Sequence, residues 1–145
     1  MIQVVDASAF AAVLFGENAE FWVRERTRGQ TLIAPALLEF EIGNVYWKRM
    51  RQFPESADRF IQILSAWLAS TVIRVEAVDA LGTLDLAREH SLTFYDASYL
   101  WLAQSRTAEL ISLDMKLVRA ARRLGLDAPT PITGAGPQTT PRSRN

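Results

Sequence analysis

Cysteine is missing from this sequence, and histidine occurs only once. Without cysteine the chain can form neither a disulfide nor a thiolate metal site, which suits a reducing compartment. The sixteen basic and sixteen acidic residues cancel, so a uniformly basic nucleic-acid-binding coat is excluded, although a local basic patch is not. The N-terminus lacks the positive region of a signal peptide, and no apolar run approaches the ~18 residues of a membrane span. These absences predict a soluble, cytoplasmic protein that does not enter a membrane.

What is present indicates one packed domain. The chain has 145 residues, of which 49% are apolar, a size and composition typical of a single globular domain. Short apolar runs alternate with segments of helical periodicity, which predicts a three-layer α/β/α fold around a central, mostly parallel sheet. Four or five strands are expected, at residues 2–5, 31–34, 71–75, 109–113 and, for the fifth, 126–128. The domain would span residues 1–128, followed by a flexible tail rich in Pro, Gly and Thr at residues 129–145.

Several carboxylates can be explained either as helix caps or as members of a functional site. Asp6 follows the first strand and Asp114 the fourth, and each is a good N-cap for the next helix. Because parallel strands end at one edge of a sheet, where α/β proteins bind ligands, the two acids could equally form a site. Asp96 begins the most apolar helix, in the first turn, where it could cap. Burying its charge would be unfavourable unless it were paired or bound to a metal.

The helix that follows the second strand carries two acids, Glu39 and Glu41, and periodicity does not choose between them. Both lie among apolar residues at helical spacing. Glu39, in the first turn, could simply complement the helix dipole. The residues alone leave both candidates open.

A cluster of carboxylates at one sheet edge has a definite chemical use. Like charges packed together repel and raise each other's pKa, and a divalent cation relieves that repulsion. Mg²⁺ and Mn²⁺ prefer carboxylate and water ligands, and no His or Cys cluster competes here. Such a cation can activate a water and stabilise charge on a phosphoryl group. Carboxylates alone therefore suffice for metal-dependent phosphodiester hydrolysis.

Four segments that contain these acids resemble the motifs of a known family. In order they are VVDASAF, LLEFEIGNVYWK, LTFYDASYLWLA and LISLDMKLVRAA. Together they resemble the acidic motifs of PIN-domain ribonucleases. Within that group the short chain is similar to the VapC-type toxins of bacterial type II toxin–antitoxin systems. The resemblance covers about residues 1–128, and all four of the family's acids are present.

The resemblance implies a set of catalytic residues, namely Asp6, Glu41, Asp96 and Asp114. It thereby favours Glu41 over Glu39. Asp6 and Asp96 would be the main ligands of a Mg²⁺ or Mn²⁺ ion. Asp114 would be a further ligand, and both it and Glu41 would complete the site directly or through water.

Three polar residues would support the acids, and the same resemblance implies an activity and partners. Ser8 is the small neighbour of the first acid, Asn44 follows the second at the family's usual offset, and Ser112 stands where the family often has threonine. The implied function is a Mg²⁺-dependent endoribonuclease toxin that hydrolyses RNA phosphodiesters by metal-activated water. The implied partners are a small cognate antitoxin and, in a homodimer, a second copy of the chain.

Basic residues recur at helical spacing after Asp114, at Lys116, Arg119, Arg122 and Arg123. They could contact RNA phosphates. A solvated helix face, with cations near the C-terminal end of the dipole, is the simpler explanation, since basic helix faces are common.

Two rival functions remain. The first is a catalytically inert PIN-like binding or interaction module that uses the same acids as helix caps. The second is a phosphotransfer or receiver domain, which would place a second acid at Val5 or Ser8 and is therefore disfavoured. A P-loop is absent from the sequence.

Overall fold

The structure is a computed structural model and describes residues 1–134. The strands in this part of the chain are β1 (Ile2–Val5), β2 (Thr31–Pro35), β3 (Ile73–Glu76) and β4 (Glu109–Ile111). The α-helices are α1 (Ala7–Leu14), α2 (Glu20–Thr27), α3 (Leu37–Gln52), α4 (Ala57–Leu68), α5 (Ala80–His90), α6 (Phe94–Arg106) and α7 (Met115–Arg123), with a 3₁₀ turn at Pro54–Ser56 before α4. None of these helices combines the length and apolar character needed to cross a bilayer.

The four strands form one sheet in the order β3-β2-β1-β4, and every neighbouring pair is parallel. In register, Val4 of β1 pairs with Ile33 of β2 and with Leu110 of β4. The predicted three-layer α/β/α class with a parallel sheet is confirmed. The chain builds outward from β1 to β3 and then returns to add β4 on the other side of β1. The topological switch point therefore lies at the carboxyl ends of β1 and β4, the place where open α/β sheets bind ligands.

The core explains why these segments fold as they do. A parallel sheet covered on both faces needs strands that are apolar throughout, and Val4, Ile33, Leu110 and Ile111 are completely buried. Helix α6 packs against β1 and β2, and Leu100 is fully buried on it. This central position of α6 explains why the helix is apolar over most of its circumference.

The expected fifth strand at residues 126–128 is not among the strands of residues 1–134. Asp127 accepts one backbone hydrogen bond from the amide of Leu110, at 2.9 Å, but pairing stops there. Pro129 lacks the N–H that a longer ladder would need. Of the predicted tail at residues 129–145, the part from residue 135 lies outside the described residues, and its flexibility stays a prediction.

Candidate active site

The candidate site begins at the switch point of the sheet. Asp6 comes directly after β1, and its amide donates to the carbonyl of Ile111 at the end of β4, at 3.1 Å. This bond fixes the backbone of Asp6 between the two strands. Its side chain consequently leaves from the carboxyl-end edge of the sheet.

The carboxylate of Asp6 is held at both oxygens. Oδ1 accepts from the Ser8 hydroxyl at 2.7 Å and from the Ala9 amide at 2.9 Å. Oδ2 accepts from the Ser112 hydroxyl at 2.5 Å. The capping interpretation of Asp6 is thus correct for one oxygen, because the Ala9 bond caps α1. The second oxygen is bound across the sheet edge, which a cap does not require.

The two serine hydroxyls are themselves oriented by the loop between β4 and α7. Ser8 Oγ accepts from the amide of Leu113, and Ser112 Oγ accepts from the amide of Asp114, each at 2.9 Å. Each hydroxyl accepts one backbone N–H and directs its own proton at Asp6. Ser8 and Ser112, expected to support the acids, therefore lie directly against the first of them.

Asp6 is 5% exposed, and its pKa is raised from 3.8 to about 6, with burial as the largest cause. The three hydrogen bonds lower the pKa and so oppose burial, while the negative charge of Asp114 raises it further. Asp114 itself caps α7, since its Oδ1 accepts from the amide of Lys116 at 2.8 Å. The first and fourth acids of the predicted set are therefore close enough to interact electrostatically.

Glu41 is joined to α6 by Tyr99. The Tyr99 hydroxyl donates to Glu41 Oε2 at 2.5 Å, and Tyr99 is only 1% exposed. Burial raises the pKa of Glu41, the hydrogen bond from Tyr99 lowers it, and the charges of Asp6 and Asp96 raise it again. Glu41 thus faces the same site as the other acids. Glu39 is exposed on the same helix.

Asp96 lies in the first turn of α6 but is not its cap. Thr93 is the N-cap residue, and its hydroxyl accepts from the Asp96 amide at 3.0 Å. Within residues 1–134 the half-buried Asp96 carboxylate makes no hydrogen bond or ion pair that would occupy it. The capping interpretation therefore does not account for this side chain, whose charge acts on Glu41.

The remaining expected site residues lie at the periphery. Asn44 is exposed on α3, one turn beyond Glu41. The four basic residues on α7 (Lys116, Arg119, Arg122 and Arg123) are all exposed. Arg122 is engaged within the chain, because its guanidinium donates to the carbonyl of Ala128 and to the hydroxyl of Thr130, both at 2.8 Å.

The acids fit a divalent cation by their chemistry. All the candidate ligands offer oxygen, which Mg²⁺ and Mn²⁺ prefer, and a cation would offset the like charges that raise the pKa of Asp6 and Glu41. In the described chain, however, no three His, Cys, Asp or Glu side chains are grouped closely enough to hold an ion. Binding would therefore have to draw the carboxylates closer together than they lie here.

Tyr99 is not among the site residues predicted from the sequence. It lies three residues after Asp96, on the same face of α6, so its proximity to the site could have been inferred from spacing. The hydrogen bond from Tyr99 to Glu41 could not be inferred from spacing, because 58 residues separate the two partners in the sequence.

The chain is similar to known proteins in both sequence and fold. The model of the PIN domain matches residues 4–123, a range that contains all four acids. Ribonuclease VapC3 of Pyrobaculum aerophilum is 30% identical over 118 residues, covering 79% of this chain and 90% of the relative. Exonuclease VapC9 of the same organism is 30% identical over 119 residues, covering 79% and 82%. The structure of Rickettsia felis VapBC2 bound to a promoter DNA fragment has the same fold, with a TM-score of 0.66 at 13% identity, covering 91% and 100%.

Proposed function

The chain belongs to the PIN-domain family, and on that premise we propose that it is a metal-dependent endoribonuclease that acts as the toxin of a toxin–antitoxin pair. One observation carries the proposal. A buried aspartate, held at both oxygens at the switch point of the sheet, interacts electrostatically with Glu41 and Asp114. Relatives that share 30% identity are named as nucleases.

The four acids have different proposed roles, which follow from their surroundings. Asp6 and Asp96 would hold a Mg²⁺ or Mn²⁺ ion, with Asp114 at its edge. When bound, such a cation polarises a water and neutralises charge on the phosphoryl group. The hydroxyls of Ser8 and Ser112 keep the Asp6 carboxylate in one orientation.

Glu41 is suited to accept a proton from the attacking water. Its pKa is raised, and a base whose pKa approaches the working pH is an effective proton acceptor. Tyr99 occupies Oε2 of Glu41, so Oε1 is the oxygen that would accept the proton. This assignment requires no base outside the four acids.

A small antitoxin and a second copy of the chain are the proposed partners. Large apolar side chains lie on the surface of α3 and α4, including Trp47 at 56% exposure and Ile61 at 52%. No residue of α4 is buried in the monomer. Exposed apolar surface of this kind supports docking of a protein, and light scattering of the purified chain would give its oligomeric state.

The rival function is an inert binding module, and two observations favour it. Asp6 and Asp114 do cap α1 and α7, and residues 1–134 hold no ready-made group of three metal ligands. Such a module would bind protein partners but neither metal ions nor RNA. The two functions therefore differ in a measurable way.

Circular RNA separates the candidates. A pool of circularised RNA with randomised sequence would be incubated with the protein and Mg²⁺, and a parallel sample would contain EDTA. An endoribonuclease opens circles, and EDTA prevents it. Degradation of a linear pool with intact circles would assign an exonuclease instead, and intact pools of both kinds would favour the inert module.

A further inference from the structure

A small apolar pocket lies beside the carboxylate site. Its volume is about 200 Å³. Residues 35–37 line it from the junction of β2 and α3, residues 76–78 line it from the end of β3, and Phe94, Tyr95 and Ser98 line it from α6. We call this the α6 pocket. Glu76 is the one ionisable acid among these residues.

The carboxyl-end edge of the sheet is thereby divided in two. Asp6 and Asp114 follow β1 and β4, while the α6 pocket lies at the ends of β2 and β3, the adjacent strands in the sheet. Neighbouring strands are ~5 Å apart, so the two sites adjoin. The same two helices supply both: Leu37 precedes Glu41 by one turn of α3, and Tyr95 directly precedes Asp96 on α6. A strand of nucleic acid bound at the acids can therefore extend into this pocket.

The pocket suits a flat ring. Phe94 is 42% exposed and Tyr95 is 60% exposed, so both rings present surface to an incoming group. The volume falls below the ~300 Å³ at which pockets for drug-sized ligands begin. Proteins that bind single-stranded nucleic acid stack its bases on exposed aromatic rings of this kind.

The one carboxylate that lines the α6 pocket is neutralised by two arginines. The Glu76 side chain is only 9% exposed and is covered by two arginines, with contacts of 2.7 Å from Arg74 and 2.6 Å from Arg106. The guanidinium-bearing side chains are 62% and 53% exposed. These two cations offset the charge of Glu76, so the one carboxylate among the lining residues does not repel the phosphates on either side of a bound base.

We propose that the α6 pocket binds one nucleobase of an RNA strand whose neighbouring phosphate lies at the carboxylate site, with Phe94 and Tyr95 as its stacking surface. This inference rests on the proposed ribonuclease function and deepens it. Because every base has a stacking face, the pocket selects unpaired RNA and is tolerant of sequence. The Ser98 hydroxyl already donates to the carbonyl of Tyr95, at 2.6 Å. It therefore does not serve as a hydrogen-bond donor to the base.

The test compares an intact RNA with one that has no bases. Fluorescence anisotropy would measure binding of a short fluorescein-labelled single-stranded RNA and of an abasic ribose-phosphate strand of equal length. Both would be measured in Ca²⁺, with a gel to show that the RNA stays intact. The proteins are the wild type, the double variant Phe94→Ala/Tyr95→Ala, the conservative variant Tyr95→Phe, and Phe21→Ala. Phe21 is a matched control, because it is 48% exposed on α2 and does not line the pocket.

The wild type and both control variants should prefer the intact RNA by roughly 5- to 150-fold, the usual effect of one stacked base. The double variant should lose that preference while it binds the abasic strand as the wild type does. A preference that survives in the double variant overturns the inference, as does a wild type without any preference. Unchanged RNA binding together with loss of a protein partner would assign the rings to that partner. Failure to open circular RNA would count against the ribonuclease function. The binding comparison does not depend on cleavage, so it would still show whether the α6 pocket binds a base.

Discussion

The hydroxyl of Tyr99 on α6 donates to Oε2 of Glu41 on α3 at 2.5 Å, and this bond links the two helices that carry the second and third acids. The bond favours the ionised form of Glu41, whereas the negative charges of Asp6 and Asp96 disfavour that form. Tyr99 is therefore a positioning residue that holds the Glu41 carboxylate within the site.

Replacing Tyr99 with phenylalanine should impair the enzyme without unfolding it. The ring stays, so the core keeps its volume, but Glu41 loses a hydrogen bond that lowers its pKa. A hydrogen bond to a charged group contributes ~1.5–3 kcal/mol, so we expect RNA cleavage to slow by roughly 10- to 100-fold. The rate-against-pH profile should also shift to higher pH on its acidic limb.

Tyr46→Phe is the matched control for that variant. Tyr46 is also 1% exposed, but its hydroxyl has no hydrogen-bond partner in the described part of the chain. Its removal should leave cleavage unchanged and the thermal midpoint equal or higher. Equal loss of cleavage in the two variants would show that Tyr99 has no specific role.

Glu41→Gln and Glu39→Gln should differ sharply, although the two residues are neighbours on α3. Glu41 is partly buried and interacts with three site residues, whereas Glu39 is exposed. Loss of a general base costs about 10²- to 10⁴-fold in rate, and a surface change should stay within about twofold. Single-turnover cleavage measures both. A comparable loss in Glu39→Gln would remove Glu41 from the proposed chemistry.

The edge of the sheet at which the acids gather could be predicted from sequence, because apolar runs mark the strand ends. Asp6 and Asp114 each follow such a run, and both lie at the switch point. The choice between Glu39 and Glu41 could not be derived from periodicity, since both have apolar neighbours along the chain. It depends on which side of α3 faces α6, which is set by packing between distant segments.

Two other features depend on details that hydrophobic patterns do not encode. Thr93, not Asp96, caps α6, and only the backbone geometry of the turn distinguishes them. Residues 126–128 lie beside β4 but make a single ladder bond to it through Asp127, so the short Leu-Asp-Ala segment is not sufficient evidence for a strand.

The raised pKa of Asp6 predicts how the stability of the metal-free protein depends on pH. Its folded-state pKa of about 6 exceeds the unfolded value of 3.8, so the folded protein binds the proton more tightly. The resulting stabilisation is fully present below pH ~4 and is lost as pH rises through 6, by about 3 kcal/mol. Denaturant unfolding in EDTA should show this decline in the wild type. It should be absent from Asp6→Asn, and a parallel decline in that variant would refute the assignment.

Divalent metal should reverse that loss at neutral pH. A cation that binds only the folded protein stabilises it by ~2.7 kcal/mol at a concentration of 100 times its Kd, and here it would also offset the charge of the buried Asp6. We expect Mg²⁺ or Mn²⁺ to raise the thermal midpoint of the wild type and of Glu39→Gln. Asp6→Asn and Asp96→Asn should show little or no increase. If the four proteins respond equally, the cation binds elsewhere, and if none responds, the inert binding module becomes the better account of these acids.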